Sequence, residues 1–152
     1  MTLPPFQTLV DAHGRDVHRY LRGLVGHSSM DDCFQDALMS ALVAYPARTH
    51  ARNLRSWLFT IAHNKGIGHL RRTGRETLTD APPDRGRFDA DRRDESLWAG
   101  VGVLPAKQRA AVTLRYLGDL SYREIAGIIE SSEAAARQSV RAGLAALRKE
   151  SV

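Results

Sequence analysis

The sequence predicts an all-α fold of two small helical domains joined by a flexible linker, and three observations predict it. Apolar residues recur at spacings of three, four and seven, the period of a helix that buries one face, and strand-like alternation is absent. From Thr73 to Arg93 the chain holds Gly74, Pro82, Pro83, Gly86 and dense mixed charge, with Leu78 and Phe88 as its sizeable apolar residues; such a stretch builds no core. Near the end, two short helical patterns follow each other across a tight polar break. The expected organisation is a helical domain over 1–72, a flexible linker over 73–93 that protease should cut first, and a second helical domain over 94–152. Each block is small enough to be marginal alone, because small domains bury a lower fraction of their surface.

The first helix is set by Phe6, Leu9, Val10, Val17, Tyr20, Leu21, Leu24 and Val25, which fall on one face. A second should begin at Ser28 or Ser29, where a hydroxyl caps free N–H groups and Asp31 and Asp32 complement the positive end of the dipole. Its apolar stripe is Cys33, Phe34, Ala37, Leu38, Ala41, Leu42 and Tyr45, and Pro46 stops it. Leu54, Trp57, Leu58, Ile61 and Ala62 open a third helix running towards Arg72, and Trp57 on that stripe reads as core. Gly66 and Gly68 weaken its second half by roughly 1 kcal/mol each relative to Ala. In the last third Leu97, Val101 and Leu104 indicate a short helix, and Pro105 suits the first turn of the next, which Gly118 ends. Ser121-Tyr122-Arg123-Glu124 is a capping box ahead of Ile125, Ala126, Ile128 and Ile129. After Glu130-Ser131, Ser132 caps a final helix with Ala136, Val140, Leu144 and Leu147 inside, and Arg137, Gln138, Arg141 and Arg148 on the other side. That pair fits a helix-turn-helix, although helical hairpins without a DNA function share the pattern.

Charge is unevenly spread. The 152 residues carry a net +5, but residues 47 to 75 alone hold six Arg and one Lys with no acid. A stretch so basic is either a solvated helix face or a phosphate-binding surface. Cys33 is the one thiol, so no internal disulfide forms and a reducing compartment is expected. The first ten residues lack a signal-peptide pattern and no run approaches the ~18 apolar residues of a membrane span, so a cytoplasmic protein without membrane insertion is expected. Enzymatic readings find little support. His13 and His18, His63 and His69, and His27 and Cys33 miss the spacings that put metal ligands on one side, and no phosphate-cradling loop, nucleophile elbow or paired carboxylate pocket is evident. No enzyme activity, metal or cofactor is expected.

Taken together the segments resemble bacterial RNA polymerase sigma factors of the small extracytoplasmic-function (ECF) class, which keep the second and fourth conserved regions of larger sigma factors. Asp31-Asp32-Cys33-Phe34-Gln35-Asp36-Ala37-Leu38 resembles the family's acidic helix. Leu54-Arg55-Ser56-Trp57-Leu58-Phe59-Thr60-Ile61-Ala62-His63-Asn64 resembles the following one, closing with Leu70-Arg71-Arg72. Leu104-Pro105, Gln108-Arg109, Leu114-Arg115-Tyr116, Leu120-Ser121-Tyr122, Glu124-Ile125-Ala126 and Ser132-Glu133 continue the match in order. The sequence departs at Glu130, where the family usually has Gly, and at Ser131, usually apolar, so the turn is expected to lack its left-handed hinge and hydrophobic plug. Gly68 stands where an acid is common, and Ala134, Ala135, Ala136 and Ser139 replace larger residues of the recognition helix.

The resemblance implies a promoter-specificity subunit with three surfaces. Asp31, Asp32, Gln35, Asp36 and Met39 on the second helix would bind core RNA polymerase, at the clamp helices of its largest subunit. Arg48, His50, Arg52, Asn53, Arg55, His63, Asn64, Lys65, Arg71 and Arg72 would face minus-ten DNA, with an extruded base captured in the 46–53 loop. At the minus-thirty-five element, Ser132, Glu133, Arg137 and Gln138 would lie at or near the bases, with Arg115, Arg123 and Arg141 on the backbone; Glu133 serves the helix dipole equally well. An anti-sigma factor is a further implied partner. The alternatives are a stand-alone helix-turn-helix regulator and a protein that binds polymerase or an anti-sigma factor without reading promoters.

Overall fold

Seven helices make up the regular structure in the computed structural model, which describes residues 3–45, 53–74 and 95–150. Residues 46–52 of the expected base-capturing loop, with Arg48, His50 and Arg52, and most of the expected linker lie outside the described residues.

Helices α1 (Phe6–Val25), α2 (His27–Ala44) and α3 (Leu54–Arg72) form a three-helix unit. Val17, Tyr20, Leu21 and Leu24 of α1 are fully buried, as the spacing predicts, against Ala37 of α2 and Leu58 of α3. The start of α2 differs from expectation. Gly26, at φ 92°, turns the chain in a single residue, and α2 begins directly at His27 with no side-chain cap. Ser28 and Ser29 therefore lie inside its first turn and Asp31 beyond it, where Asp31 pairs instead with His18 Nε2 at 2.7 Å. Leu42, placed on the buried stripe by its spacing, is 55 % exposed. Gly66 has a packing role that offsets its low helix propensity: a Cβ there would lie 2.6 Å from Leu24 Cδ2, so the missing side chain lets α3 close on α1.

Helices α4 (Glu95–Gly102), α5 (Ala106–Tyr116), α6 (Tyr122–Ile128) and α7 (Glu133–Glu150) form the second unit. Pro105 stands at the N-cap of α5, one residue before the expected first turn. The capping box forms as read: Ser121 Oγ accepts from the Glu124 N–H at 3.1 Å, and a Glu124 carboxylate oxygen accepts from the Ser121 N–H at 3.1 Å. Ser132 Oγ accepts from the Ala135 N–H at 3.0 Å, capping α7, and Ala136 and Val140 are buried. At the break between α6 and α7 the expectation of a lost hinge is overturned. Glu130 adopts φ 56°, the left-handed conformation that a glycine would take freely, and the Ser131 N–H closes the end of α6 by donating to Ala126 O at 2.9 Å.

The two units also pack against each other, α1 with α4 and α5 and α3 with α6. Arg109 of α5 has no exposed surface. Its Nε donates to Leu24 O at 3.1 Å, and Nη1 to Leu104 O at 3.0 Å and Gly102 O at 3.4 Å. Leu24 lies in the last turn of α1, whose carbonyls have no partner inside the helix and carry the negative end of its dipole. One guanidinium thus caps α1 and fixes the α4–α5 corner.

A β-carbon in the left-handed region costs about 1 kcal/mol or more, and Glu130 is exposed. Glu130→Gly is therefore expected to raise the urea unfolding free energy by about 1 kcal/mol, net of the extra unfolded-chain entropy of glycine. A loss of stability would mean that the hinge is not strained.

Candidate nucleic-acid interface

Three sets of side chains were read from the sequence, and the fold treats them differently. Asp31, Asp32, Gln35, Asp36 and Met39 all reach solvent on one side of α2, opposite buried Cys33, Ala37 and Ala41. Met39 is 62 % exposed, and Leu42 and Val43 (82 %) extend this apolar ridge beyond what the spacing suggested. Charge on the face is partly engaged already, Asp31 by His18 and Asp36 by Lys65 of α3 at 3.6 Å. Exposed pairs of this kind contribute little, so both carboxylates remain open to a cationic partner.

The basic set on α3 divides in two. Asn64, Arg71 and Arg72 are exposed, and Asn53, at φ 58°, is exposed just before the helix. His63 and Arg55 are not free surface groups, which corrects the sequence reading. His63 is 3 % exposed, and its Nδ1 lies 2.6 Å from the Tyr20 hydroxyl. The hydroxyl donates to Nδ1 when the imidazole is neutral, and burial together with the nearby Arg71 charge lowers the His63 pKa to about 4. Burial likewise pushes the Tyr20 phenol up. Spacing carried the signal that was missed: His63 lies four residues after Phe59 and four before Ile67, on the buried face of α3.

Arg55 is half-buried and bonded to three residues. Nε and Nη2 both donate to Gly118 O, at 2.9 and 2.7 Å, Nη2 donates to Asp16 Oδ2 at 2.9 Å, and Nη1 lies 3.0 Å from His13 Nδ1. The guanidinium also lies over the Phe59 ring, 5.1 Å from its centroid. Burial and the Arg55 charge lower the pKa of His13, which keeps its ring neutral and able to accept from Nη1. Nothing in the local pattern revealed these partners, which come from α1 and from the turn after α5.

In the helix-turn-helix, Ser132, Glu133, Arg137, Gln138 and Arg141 lie exposed along the start of α7, and Arg123 is exposed in the first turn of α6. Arg115 is not free: Nη1 donates to Leu120 O at 3.0 Å, and its guanidinium sits 4.6 Å from the Tyr122 ring centroid. Arg137 approaches the same ring at 5.1 Å. Tyr122, which sequence reasoning passed over, therefore orients one arginine that locks the α5–α6 turn and one that points from the recognition helix. Among the described residues no group of three His, Cys, Asp or Glu side chains could hold a metal ion, and no helix is long and apolar enough to cross a membrane. Burial raises the pKa of the Cys33 thiol.

Comparison with known proteins agrees with this arrangement. The family description "Sigma-70 region 2" matches residues 9–76 and "Sigma-70, region 4" matches residues 94–147. The ECF RNA polymerase sigma factor SigD of Mycobacterium tuberculosis is 33% identical over 156 residues, covering 90% of this chain and 72% of SigD. SigM of Bacillus subtilis, also an ECF RNA polymerase sigma factor, is 28% identical over 133 residues, 78% of each chain. An uncharacterized protein of Rhizobium meliloti is 31% identical, and this chain spans 32% of its length. Among solved structures, CnrH in complex with the cytosolic domain of CnrY superposes with a TM-score of 0.73 at 25% identity, covering 95% of this chain and 85% of that one. RpoE of Bartonella quintana, in complex with the anti-sigma factor NepR, shares the fold at a TM-score of 0.74 and 23% identity, with coverage of 95% and 92%.

The buried His63 gives a pH signature. Its folded pKa of about 4 lies below the ordinary histidine value near ~6.5, so the unfolded chain binds the proton more readily. Stability is full above the unfolded pKa and falls as pH drops through 6.5 towards 4, by on the order of 3 kcal/mol from this group. His63→Gln retains an acceptor for Tyr20 and should flatten that part of the acid limb in urea titrations at pH 7.5 and 5. An unchanged limb would remove His63 as its source.

Proposed function

The chain belongs to the ECF sigma factors of the sigma-70 family, and on that premise we propose that it binds core RNA polymerase through the acidic face of α2 and directs it to promoters through two DNA surfaces. The observation that carries this reading is the presence, in family order in one chain, of an exposed acidic α2 face, a basic α3 and a capped helix-turn-helix. In this reading the protein is cytoplasmic and does no chemistry of its own: the polymerase supplies catalysis. Asp32, Gln35, Asp36 and Met39 give complementary charge around a soft apolar anchor. Asn64, Arg71 and Arg72 offer donors to the opened minus-ten strand, joined by Asn53 and the 46–52 residues. Arg137 and Gln138 suit guanine and adenine edges, with Arg123 and Arg141 on phosphates.

An anti-sigma partner belongs to the same proposal, supported by the NepR complex of RpoE. An interaction protein without promoter recognition rests on two features, a turn expected to lack its hinge and the small residues Ala134, Ala135, Ala136 and Ser139 of the last helix; Glu130's left-handed backbone weakens the first and leaves the second. Run-off transcription with purified core polymerase tests the function directly. Duplex binding with no run-off would favour the stand-alone regulator instead.

Two substitution sets separate the surfaces. Asp32→Ala with Asp36→Ala should weaken core-polymerase affinity by roughly 1–2 kcal/mol and spare the fold, since neither side chain is buried. Unchanged affinity in a titration with core polymerase would contradict the docking assignment. Arg137→Ala should cost about 1–3 kcal/mol of upstream duplex recognition and relax selectivity at one base pair. Arg71→Ala with Arg72→Ala should weaken binding to all sequences and lower the salt slope by about 1 to 2. A uniform loss from Arg137→Ala, with no change in selectivity, would exclude it from base reading.

A further inference from the structure

A hollow of about 230 Å³ opens between α1, α4, α5 and α7, and none of the residues that line it belongs to the three surfaces described above. Trp98 and Val101 of α4, Val112 of α5, Leu117 just after it, and Leu144 and Leu147 of α7 form its apolar walls. Thr113 also lines it, but its hydroxyl is engaged, donating to Arg109 O at 2.6 Å. The space is not slack between loosely packed helices. A Cβ on Gly23 would stand 3.2 Å from Thr113 Oγ1, and one on Gly143 2.5 Å from Val112 Cγ2, so α1 and α7 each meet α5 in close contact beside it. The frame is tight, and the space within it stays open.

Its rim is cationic. Arg19 of α1 lines the hollow and is exposed, as is Tyr116 of α5. Arg22, three residues on, is a neighbour of Arg19 on the helix surface, and its guanidinium lies over the Trp98 ring, 4.8 Å from the centroid. Neither arginine has an acidic partner among the described residues, and Arg22 Nη2 is buried without an acceptor. A donor left unsatisfied away from water is costly, and beside an apolar cavity it favours an anion. Trp98 joins the two features, since its ring both carries Arg22 and lines the hollow.

We propose that this hollow binds a small amphipathic anion: a monocarboxylate whose apolar chain lies among Trp98, Val112 and Leu147 and whose carboxylate meets Arg19 at the rim, in the field of Arg22. Volume sets the size of the chain. An apolar cavity of roughly 150 Å³ takes one benzene, so by proportion this hollow takes a chain of about eight or nine carbons. A partner helix would instead need several such hollows in a row, at three- and four-residue spacing.

Sodium octanoate is the probe, titrated well below its micelle concentration into the full chain. Calorimetry on the parent protein reports stoichiometry and affinity; fluorescence in a Trp57→Phe background, where Trp98 is the sole tryptophan, reports the site. One octanoate per chain should bind with a Kd of about 0.1 mM and change the Trp98 emission. Octanol, which keeps the tail and lacks the charge, should bind roughly tenfold more weakly, and butyrate, which keeps the charge and lacks most of the tail, at least as weakly as that. Arg19→Gln should weaken octanoate about tenfold and leave octanol unchanged, and because Arg19 is exposed the fold is spared. Leu147→Trp, which fills the hollow, should abolish binding of both. Equal affinity of the parent chain and Arg19→Gln for octanoate, or of the parent for octanoate and octanol, overturns the anion site, even if Leu147→Trp fails to fold. Uptake of several octanoates per chain without saturation overturns the hollow as a specific site.

Discussion

Arg109 carries a full positive charge with none of its side chain open to water, and a buried charge is tolerated only where hydrogen bonds replace its hydration. Those bonds come from Leu24 O at the end of α1 and from Gly102 O and Leu104 O between α4 and α5. The end of α1 needs the charge as much as the charge needs the carbonyls, since its last carbonyl oxygens find no N–H donors within the helix. Satisfying both at once requires α5 to lie across α1. From that crossing follows the approach of α6 to α3, and with it the contact of Arg55 with Gly118.

The two arginines act at opposite ends of one interface. Arg109 is enclosed and hydrogen-bonded by main-chain oxygens, while Arg55 is part-exposed and pairs with Asp16 of its own unit. The first makes the arrangement specific; the second ties the turn after α5 to the basic stretch of α3. Missing side chains permit the closeness there, at Gly23 against Thr113 and at Gly118 against Phe59. Neither unit is large enough to bury a generous core alone, so sharing surface also compensates for size.

Much of this was legible in the sequence. Helical period and capping signals identified the helices, the Ser121–Glu124 box and the Ser132 cap formed as read, and the residues of the acidic α2 face are exposed together. What escaped was non-local. Period cannot show that Arg55 meets a carbonyl more than sixty positions away, that His63 turns inward to Tyr20, or that Gly66 makes room for Leu24. The α2 start was misjudged because Gly26 turns the chain without needing a hydroxyl cap, and Leu42 because the buried stripe near the end of α2 is narrow, enclosing Ala41 and Tyr45 while Leu42 and Val43 face out. Glu130 failed the usual preference of its position while keeping the conformation, since the backbone bond from Ser131 to Ala126 holds the turn whatever the side chain.

The central claim is that the two units of the free chain share one interface organised by Arg109. Small-angle X-ray scattering of the unbound protein tests it most directly. A radius of gyration close to the ~15 Å of a compact chain of this length, with a single-peaked distance distribution, is the predicted result. A value of about 20 Å or more, with a two-peaked distribution from separated lobes, would contradict it.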